Sequence, residues 1–533
     1  MTLFALGLAV AQLRLQARAD VERARERLLA GDTAAASALC ARAERWPAER
    51  DRARAGETLA AASTGRPVAA LSPDELAFVP AEPLVVSALR AGRLDGARSL
   101  ADLLGRSGHP LGPLYSAAFA FEAGDEAAAR AAVAASRVPL GARGLGARLE
   151  RALAARDSGA RTLLLDCSGE LVASILASGP FRPAEGIAAL VSGVLERVPA
   201  ELPARALRLT VDLELSRGAL AALGERRGSI VLVDARSGAL LAAVSDERTS
   251  ATEGAAALTQ RLEPASIAKL LTAAAAYRNG LDPDASISRM TCTGVERYGG
   301  QPLWCAFPSG PLAGLDDALA KSCNVAFANL GVELGASRMA EEYRRWGFDA
   351  GPAALLGGAG RIHTPARTPH QLADLSIGLE LVDVTPLHAA LLAAVVADDG
   401  RLPEPSVLTG PCGPLGLTDE PKGSAPTRDV LEPAIARRLR RAMAAVARRG
   451  TGAGLAPTGY EIAVKTGTAA ERGRGYHVNY VGIAPLGETT VAFCVRVTHG
   501  ATSPAVTTAA REVTSRLLES LADRATRGPR PRF

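Results

Sequence analysis

The sequence predicts an α+β domain preceded by an all-helical arm, and three observations carry that prediction. Alanine and leucine recur at helical spacing from about residue 13 to 158. Short apolar runs bounded by turn residues then occur on both sides of a helical middle, which implies one sheet assembled from distant parts of the chain. At 533 residues the chain is also too long for one ordinary core.

Taken in order, Thr2 to Ala11 is apolar and Ala9-Val10-Ala11 resembles a signal-peptidase site, but ten residues cannot span a bilayer, which needs about 20 as a helix. Residues 1–12 read either as the remnant of a membrane anchor or signal, or as an ordinary first helix. Across 13–158 the helix breaks fall at Gly31-Asp32, Gly92-Arg93 and Gly124-Asp125, with alanine-rich helices from Asp95 to Leu104 and from Asp125 to Ala135. Stacked tetratricopeptide-like hairpins and a plain helical arm both fit this spacing.

The pattern changes near Arg161. Thr162 to Asp166 and Glu170 to Ile175 form a hairpin around Ser168-Gly169, within a linker or pedestal-like segment over 159–206. From 207 to the end the chain reads as one further domain. Leu207 to Leu213 is a strand leading into a helix, and Ser229 to Val233 with Ala239 to Val244 is a second hairpin. Pro264 to Gly335 is mostly helical. Leu402 to Thr427, rich in proline and glycine, reads as a surface loop. Glu461 to Lys465, Tyr480 to Ala484 and Thr490 to Val497 are strands, and a helix from Ala505 to Ala522 closes the domain.

Composition narrows the chemistry. The formal charge of +5 is small for this length, and Arg437-Arg438-Leu439-Arg440-Arg441 has no interleaved aromatics, so it reads as a solvated helix face and no nucleic acid is expected. The six histidines show no metal-ligand spacing and Gly357-Gly358-Ala359-Gly360-Arg361 lacks the Lys-Ser/Thr of a phosphate loop, so neither metal nor cofactor is expected. His477 and His499 read as structural. Of seven cysteines, Cys292 and Cys305 enclose a glycine-rich turn and fit either a disulfide or two buried thiols.

The chain has four lysines, Lys269, Lys321, Lys422 and Lys465, in a basic complement of 61 that is otherwise arginine. Arginine cannot lose its proton in a protein, whereas a buried lysine can become a neutral amine and act as a base. Two of the four lie in Ser266-Ile267-Ala268-Lys269 and Lys465-Thr466-Gly467-Thr468; a third precedes Ser322-Cys323-Asn324. Asparagine is as rare, at Asn279, Asn324, Asn329 and Asn479.

Ser266 opens an apolar helix expected to run uninterrupted from Ile267 to Tyr277, where free backbone N–H groups favour developing negative charge. Lys269, three residues on, shares its face and can take its proton. Ser322 can relay a proton or cap a helix, and Asn324 can hold a substrate amide. The Lys465-Thr466-Gly467-Thr468 segment, placed at a strand end, admits a substrate backbone at Gly467. It also offers Lys465, Thr466 and Thr468 to a carboxylate, and the charge of Lys465 is expected to depress the pKa of Lys269.

In this order the three motifs are the signature of penicillin-interacting serine enzymes. From Leu207 to about Ala522 the chain resembles the transpeptidase domain of monofunctional penicillin-binding proteins, through EPASIAKLLTAAA, KSCNVAFANLGVELG, SIGLELVDVTPLHAALLAAVVADDG and VKTGTA. The resemblance implies a five-stranded antiparallel sheet with helices on both sides and an oxyanion hole from the N–H groups of Ser266 and Thr468. It implies a peptidoglycan D,D-transpeptidase that forms a Ser266 acyl-enzyme on stem peptides and is blocked by β-lactams. The alternatives are a D,D-carboxypeptidase or a non-catalytic β-lactam sensor or scaffold. The implied setting is the cell envelope, membrane-associated with the catalytic domain outside the cytoplasm, and the arm is available to an envelope-assembly partner. The chain departs from the family at Ser376-Ile377-Gly378-Leu379-Glu380, where Gln-Gly commonly follows Ser-Ile-Gly, and at Val464, commonly glycine.

Overall fold

The computed structural model describes residues 2–527 except 31, 46–48, 67, 73–80, 91–92, 137–143, 177–180, 184–190, 192–194, 196–197, 199–204, 250–254, 352, 354–355, 364, 418–425 and 472. The breaks expected at Gly31 and Gly92, Lys422, and parts of 159–206 lie outside the described residues, as do the side chains of residues 2–12.

The regular elements of the arm among the described residues are helices: Thr2–Leu29, Thr33–Ala43, Arg50–Ala62, Ala81–Arg90, Leu94–Arg106, Gly112–Glu122, Glu126–Ala135 and Gly144–Asp157. Its turns are set by capping aspartates. Asp32 accepts from Ala35 N at 3.1 Å and Asp125 from Ala128 N at 2.9 Å, each satisfying a first-turn N–H group that has no partner within its helix. With few aromatics to fill gaps, the helices close on small residues. Ala36, Ala97, Ala101 and Leu103 are fully buried, and a Cβ on Gly96 would collide with the Ser63 carbonyl. No helix among the described residues is long and apolar enough to cross a membrane.

After the arm comes a mixed sheet in the spatial order Leu408–Pro411, Ala206–Leu209, Ala160–Leu165, Leu171–Leu176, Phe181–Pro183. The expected hairpin is its centre, Leu163 facing Ser174 and Leu164 facing Ala173. Two expectations change here. The strand placed over Leu207 to Leu213 ends at Leu209, because Asp212 turns the chain by accepting from the N–H groups of Glu214 and Leu215 to start the helix Leu213–Leu223. The stretch from Leu402 to Thr427 is not simply a surface loop. It holds strands at Arg401–Pro403, Leu408–Pro411 and Thr427–Asp429, and Leu402 and Leu415 are buried. Pro403 and Pro411 stand in short edge pairings, where a missing N–H is tolerated.

The second sheet agrees with the implied five antiparallel strands, in the order Ala463–Glu471, Gly475–Leu486, Thr489–Gly500, Gly228–Asp234, Leu240–Ser245. Its middle strands are buried almost without alternation, so helices cover both faces. Ser503–Arg527, Leu213–Leu223 and Pro386–Ala397 pack on it. The Ala463–Glu471 strand is an edge, with exposure alternating through Thr466, Thr468 and Ala470. It continues through the Lys-Thr-Gly-Thr segment that the sequence placed at a strand end, with Thr466 facing Tyr480, Gly467 facing Asn479 and Thr468 facing Val478.

Between these strands the chain is less helical than expected. Lys269–Arg278, Pro283–Ser288, Leu315–Ala320 and Asn324–Leu334 are helices, but Thr291–Cys292, Val295–Tyr298, Gln301–Trp304 and Gly310–Pro311 are strands. The turn at Gly299-Gly300, both at positive φ, closes the Val295–Tyr298/Gln301–Trp304 hairpin.

Candidate active site

The serine motif is a turn held by its neighbours. Ala265 to Ala268 forms a single 3-10 turn before the α-helix begins at Lys269, so the uninterrupted helix expected from Ile267 is corrected at its start. A 3-10 turn has three residues per revolution, so positions three apart eclipse and Ser266 and Lys269 leave the same side. Ala265 has φ +50°, a left-handed conformation fixed by its N–H, which donates to Gly378 O at 2.9 Å. Gly378, at φ +80°, ends the helix Pro369–Ile377, and a Cβ there would clash with Ala265 O and lie 2.7 Å from Ala268 Cβ. Only glycine satisfies both demands. Glu380, in the family position commonly occupied by glycine, is itself at φ +56°.

The three motifs meet. Lys269 Nζ donates to Ser322 O at 2.7 Å, to Ser322 Oγ at 3.3 Å and to Asn324 Oδ1 at 2.7 Å. Lys465 Nζ reaches the same Ser322 Oγ at 3.0 Å and Thr466 O at 2.8 Å. Among the described residues the Lys269 amine makes no hydrogen bond to Ser266 Oγ; its bonds all go to the Ser322-Cys323-Asn324 segment. Ser322 is not the helix cap. Cys323 occupies that position, and Ser322 sits at φ +53° in the turn ahead of it.

Gly467 brings the third motif against the first. A Cβ on it would stand 2.5 Å from Pro264 O and 3.3 Å from Ser266 N. The glycine is therefore needed to admit the chain's own serine turn, before any substrate is considered. Thr466 Oγ1 lies 2.7 Å from Thr451 Oγ1, and Thr468 is exposed on the free edge.

Both lysines are completely buried. Burial lowers the pKa of Lys269 to about 7, opposed by the nearby thiols of Cys323, Cys305 and Cys292. Burial also pushes Lys465 well down, and the charge of Lys269 adds to that. The sequence assigned the depression of Lys269 to Lys465. Desolvation is the main cause for both, and charge repulsion then keeps the pair from holding two protons at once. The ring of Phe327, centred 5.7 Å from Lys269 Nζ, is part of that dry wall. Asn324 has both ends engaged within the protein, its Nδ2 donating to Trp304 O at 2.6 Å. The third lysine of the serine region, Lys321, lies outside the cluster, paired with Asp317 at 2.9 Å.

Several participants carried no signal in the sequence. Arg496 is fully buried and donates to Asn479 Oδ1 at 2.7 Å, Gln260 O at 2.7 Å and Val384 O at 2.9 Å. His477 Nε2 lies 2.9 Å from Glu263 O, and Asn479 Nδ2 donates to the same carbonyl at 3.4 Å. These side chains fix the backbone that enters the Ser266 turn. Burial lowers the pKa of His477 to about 4, so it stays neutral there. Apart from the Arg496–Asn479 pair, their partners lie more than 100 residues away along the chain, and the one available hint was the scarcity of asparagine. Cys292 and Cys305 are both free thiols with sulfurs 3.5 Å apart. Cys323, the middle residue of the second motif, joins them.

A model of the penicillin binding protein transpeptidase domain matches residues 228–519, more than half of the chain. Peptidoglycan D,D-transpeptidase PbpA of Mycolicibacterium smegmatis is 31% identical over 313 residues, covering 52% of this chain and 63% of that protein. The Mycobacterium tuberculosis protein of the same name is 30% identical over 257 residues, covering 46% and 51%. The match thus spans less than two thirds of either relative. Among solved structures, the crystal structure of PBPA from Mycobacterium tuberculosis shares the fold at TM-score 0.56 and 23% identity, over 68% of this chain and 99% of that one. Its penicillin G acyl-enzyme complex aligns equally well, at TM-score 0.56 and 22% identity over 68% and 99%.

Proposed function

Because the chain belongs to the penicillin-binding protein transpeptidase family, we propose that it is a peptidoglycan D,D-transpeptidase whose acyl-enzyme forms on Ser266. The observation that carries this reading is the Ser322 hydroxyl held between two buried lysines beside a glycine that abuts the Ser266 turn. In the reaction, neutral Lys269 takes the Ser266 proton as the oxygen attacks the carbonyl between the two terminal D-alanines of a stem peptide. The N–H groups of Ser266 and Thr468 receive the developing oxyanion. Ser322, within reach of both amines, passes the proton to the departing D-alanine nitrogen. An amine on a neighbouring stem peptide then attacks the ester and regenerates the serine.

The free edge of Ala463–Glu471 suits an extended peptide added as a further strand, with Thr466, Thr468 and Lys465 toward its carboxylate. Asn324 must exchange its bond to Lys269 or to the Trp304 carbonyl to engage a substrate amide. β-Lactams enter as analogues of the same amide and stop at the acyl-enzyme, as in the penicillin G acyl-enzyme complex of the related Mycobacterium tuberculosis protein. The setting that fits is the cell envelope, with the catalytic domain outside the cytoplasm, a membrane anchor at the N-terminal side and the helical arm free to dock an assembly partner.

Labelling the chain with a fluorescent penicillin, then repeating with Ser266→Ala, tests the acyl chemistry. Equal labelling of the variant overturns the assignment. Incubation with lipid-linked glycan strands separates the outcomes: cross-linked dimers are expected, and release of D-alanine without dimers would make the chain a carboxypeptidase instead.

A further inference from the structure

Three cysteines converge behind the Ser322-Cys323-Asn324 turn. Cys305 Sγ lies 3.5 Å from Cys292 Sγ and 3.7 Å from Cys323 Sγ, and all three sulfurs fall within 4.8 Å of one another. They come from separate elements: the strand Thr291–Cys292, the residue after the strand Gln301–Trp304, and the cap of the helix Asn324–Leu334. Among the described residues no other group of three or more histidine, cysteine or acidic side chains is drawn so close together.

The three sulfurs are not equivalent. Cys305 accepts from the first two N–H groups of that helix, Asn324 N at 3.2 Å and Val325 N at 3.5 Å. Those groups have no partner within the helix and favour a negative sulfur. Cys305 is also the one of the three that is partly exposed, and Trp304 and Phe307 beside it are 64% and 49% exposed. Cys292 and Cys323 are buried.

We propose that these residues form a thiol–disulfide exchange site whose substrate class is a small-molecule disulfide, with Cys305 as the attacking sulfur and Cys323 or Cys292 as the resolving one. Hydrogen bonding from Cys323, then from the Val325 N–H, holds the Cys305 thiol below its ordinary range, and the same contact pushes Cys323 up. The reaction balances in two steps. The Cys305 thiolate displaces one thiolate from the donor disulfide and forms a mixed disulfide. A resolving cysteine then attacks the Cys305 sulfur, loses its proton, and releases the second thiol. Two protein thiols are oxidised to a cystine and one donor disulfide is reduced to two thiols.

The two products differ in their reach. Closing Cys305 to Cys323 draws the sulfurs from 3.7 Å to about 2.05 Å and pulls on the turn that holds Ser322 and Asn324. Closing Cys305 to Cys292 puts no covalent tie on that turn and reaches it only through the N–H groups that Cys305 accepts from. The third thiol can then exchange one bond for the other without any further oxidant, because all three sulfurs already touch or nearly touch.

The test uses the full chain, reduced and freed of reductant, then treated with glutathione disulfide and quenched with N-ethylmaleimide at intervals. Peptide mass spectrometry without reduction is expected to show transient glutathione on Cys305, followed by Cys305–Cys323 or Cys305–Cys292 cystine and two released glutathiones. In Cys292→Ser/Cys323→Ser the Cys305–glutathione adduct is expected to accumulate without resolving. If all three thiols, alkylated with N-ethylmaleimide after the exposed chain is unfolded, are still free following glutathione disulfide, the proposal fails. It also fails if they react only after a chelator removes a stoichiometric thiophilic metal, because the cluster is then a metal site. The mass readout does not depend on acylation of Ser266, so it stands or falls separately from the transpeptidase reading.

Discussion

Lys269 and Lys465 reach one hydroxyl from two different elements, at 3.3 Å and 3.0 Å from Ser322 Oγ. Neither amine has access to water, and two ammonium groups around one oxygen would repel strongly at low dielectric. The pair therefore favours a form with at least one neutral amine, which is the form that can accept a proton. Arginine at either position would keep its charge.

Replacing Lys269 by arginine should therefore be as damaging as replacing it by methionine. Penicillin acylation is expected to fall by roughly 10²–10⁴-fold in both, the range of a lost general base. Stopped-flow or gel-based labelling rates check this. A Lys269→Arg variant that keeps near-normal acylation would exclude the neutral-amine role.

The rate should also follow the protonation of Lys269. With the folded pKa lowered to about 7, the second-order acylation constant is expected to rise as pH increases through that value, because the neutral amine is the active form. A profile that is flat from pH 6 to 8 counts against it.

The same shift has a stability consequence with a defined sign. The folded pKa, about 7, lies below the ordinary value of 10.5, so between those two values the unfolded chain binds more protons. Stability from this group then rises with pH across that window and is least below it. Lys269→Met should raise the melting temperature more at pH 6 than at pH 9, as differential scanning fluorimetry would show. The reverse order would place the buried amine's charge elsewhere.

Gly467→Ala tests the junction between the motifs. The added Cβ would sit 2.5 Å from Pro264 O, so the serine turn must move while the rest of the sheet stays paired. Acylation is expected to drop about 10²-fold, the scale of a 1 Å misplacement. Circular dichroism should remain near that of the parent chain. An unaffected rate would mean the two segments are less tightly apposed than their backbones indicate.

Arg496→Met removes three hydrogen bonds to buried acceptors around the entry to the Ser266 turn. Stranding those acceptors costs about 1–3 kcal/mol each where no water can reach, so a clear fall in thermal stability is expected. Arg496→Lys should recover only part of it, having no fork to span three partners. Equal melting temperatures for the parent chain and Arg496→Met would show that the guanidinium does not hold this loop.

Candidate residues for the chemistry were legible wherever the pattern is local. Ser266 and Lys269 are three residues apart, Ser322 and Asn324 two, and the scarcity of lysine marked two of the positions. Continuous apolar runs bounded by turn residues, such as the hairpin Gly228–Asp234/Leu240–Ser245, were readable for the same reason. Punctuation was misleading where glycine and proline serve contacts instead of turns. Gly467 suggested a strand end, yet it sits mid-strand to make room for Pro264. The prolines between Leu402 and Thr427 suggested a loop, yet Leu408–Pro411 joins the sheet around residues 160–209.

By itself, then, the sequence determined which side chains can do acyl chemistry and that a helical arm precedes an α+β domain, because spacing and residue type are local properties. Tertiary structure decided the rest. It buried the two amines and so lowered their proton affinity, set Ser322 at a left-handed φ between them, and gathered three sulfurs from a strand, the end of a hairpin and a helix cap. Burial and apposition arise only when distant segments exclude water together, and no stretch of the chain read alone contains that information.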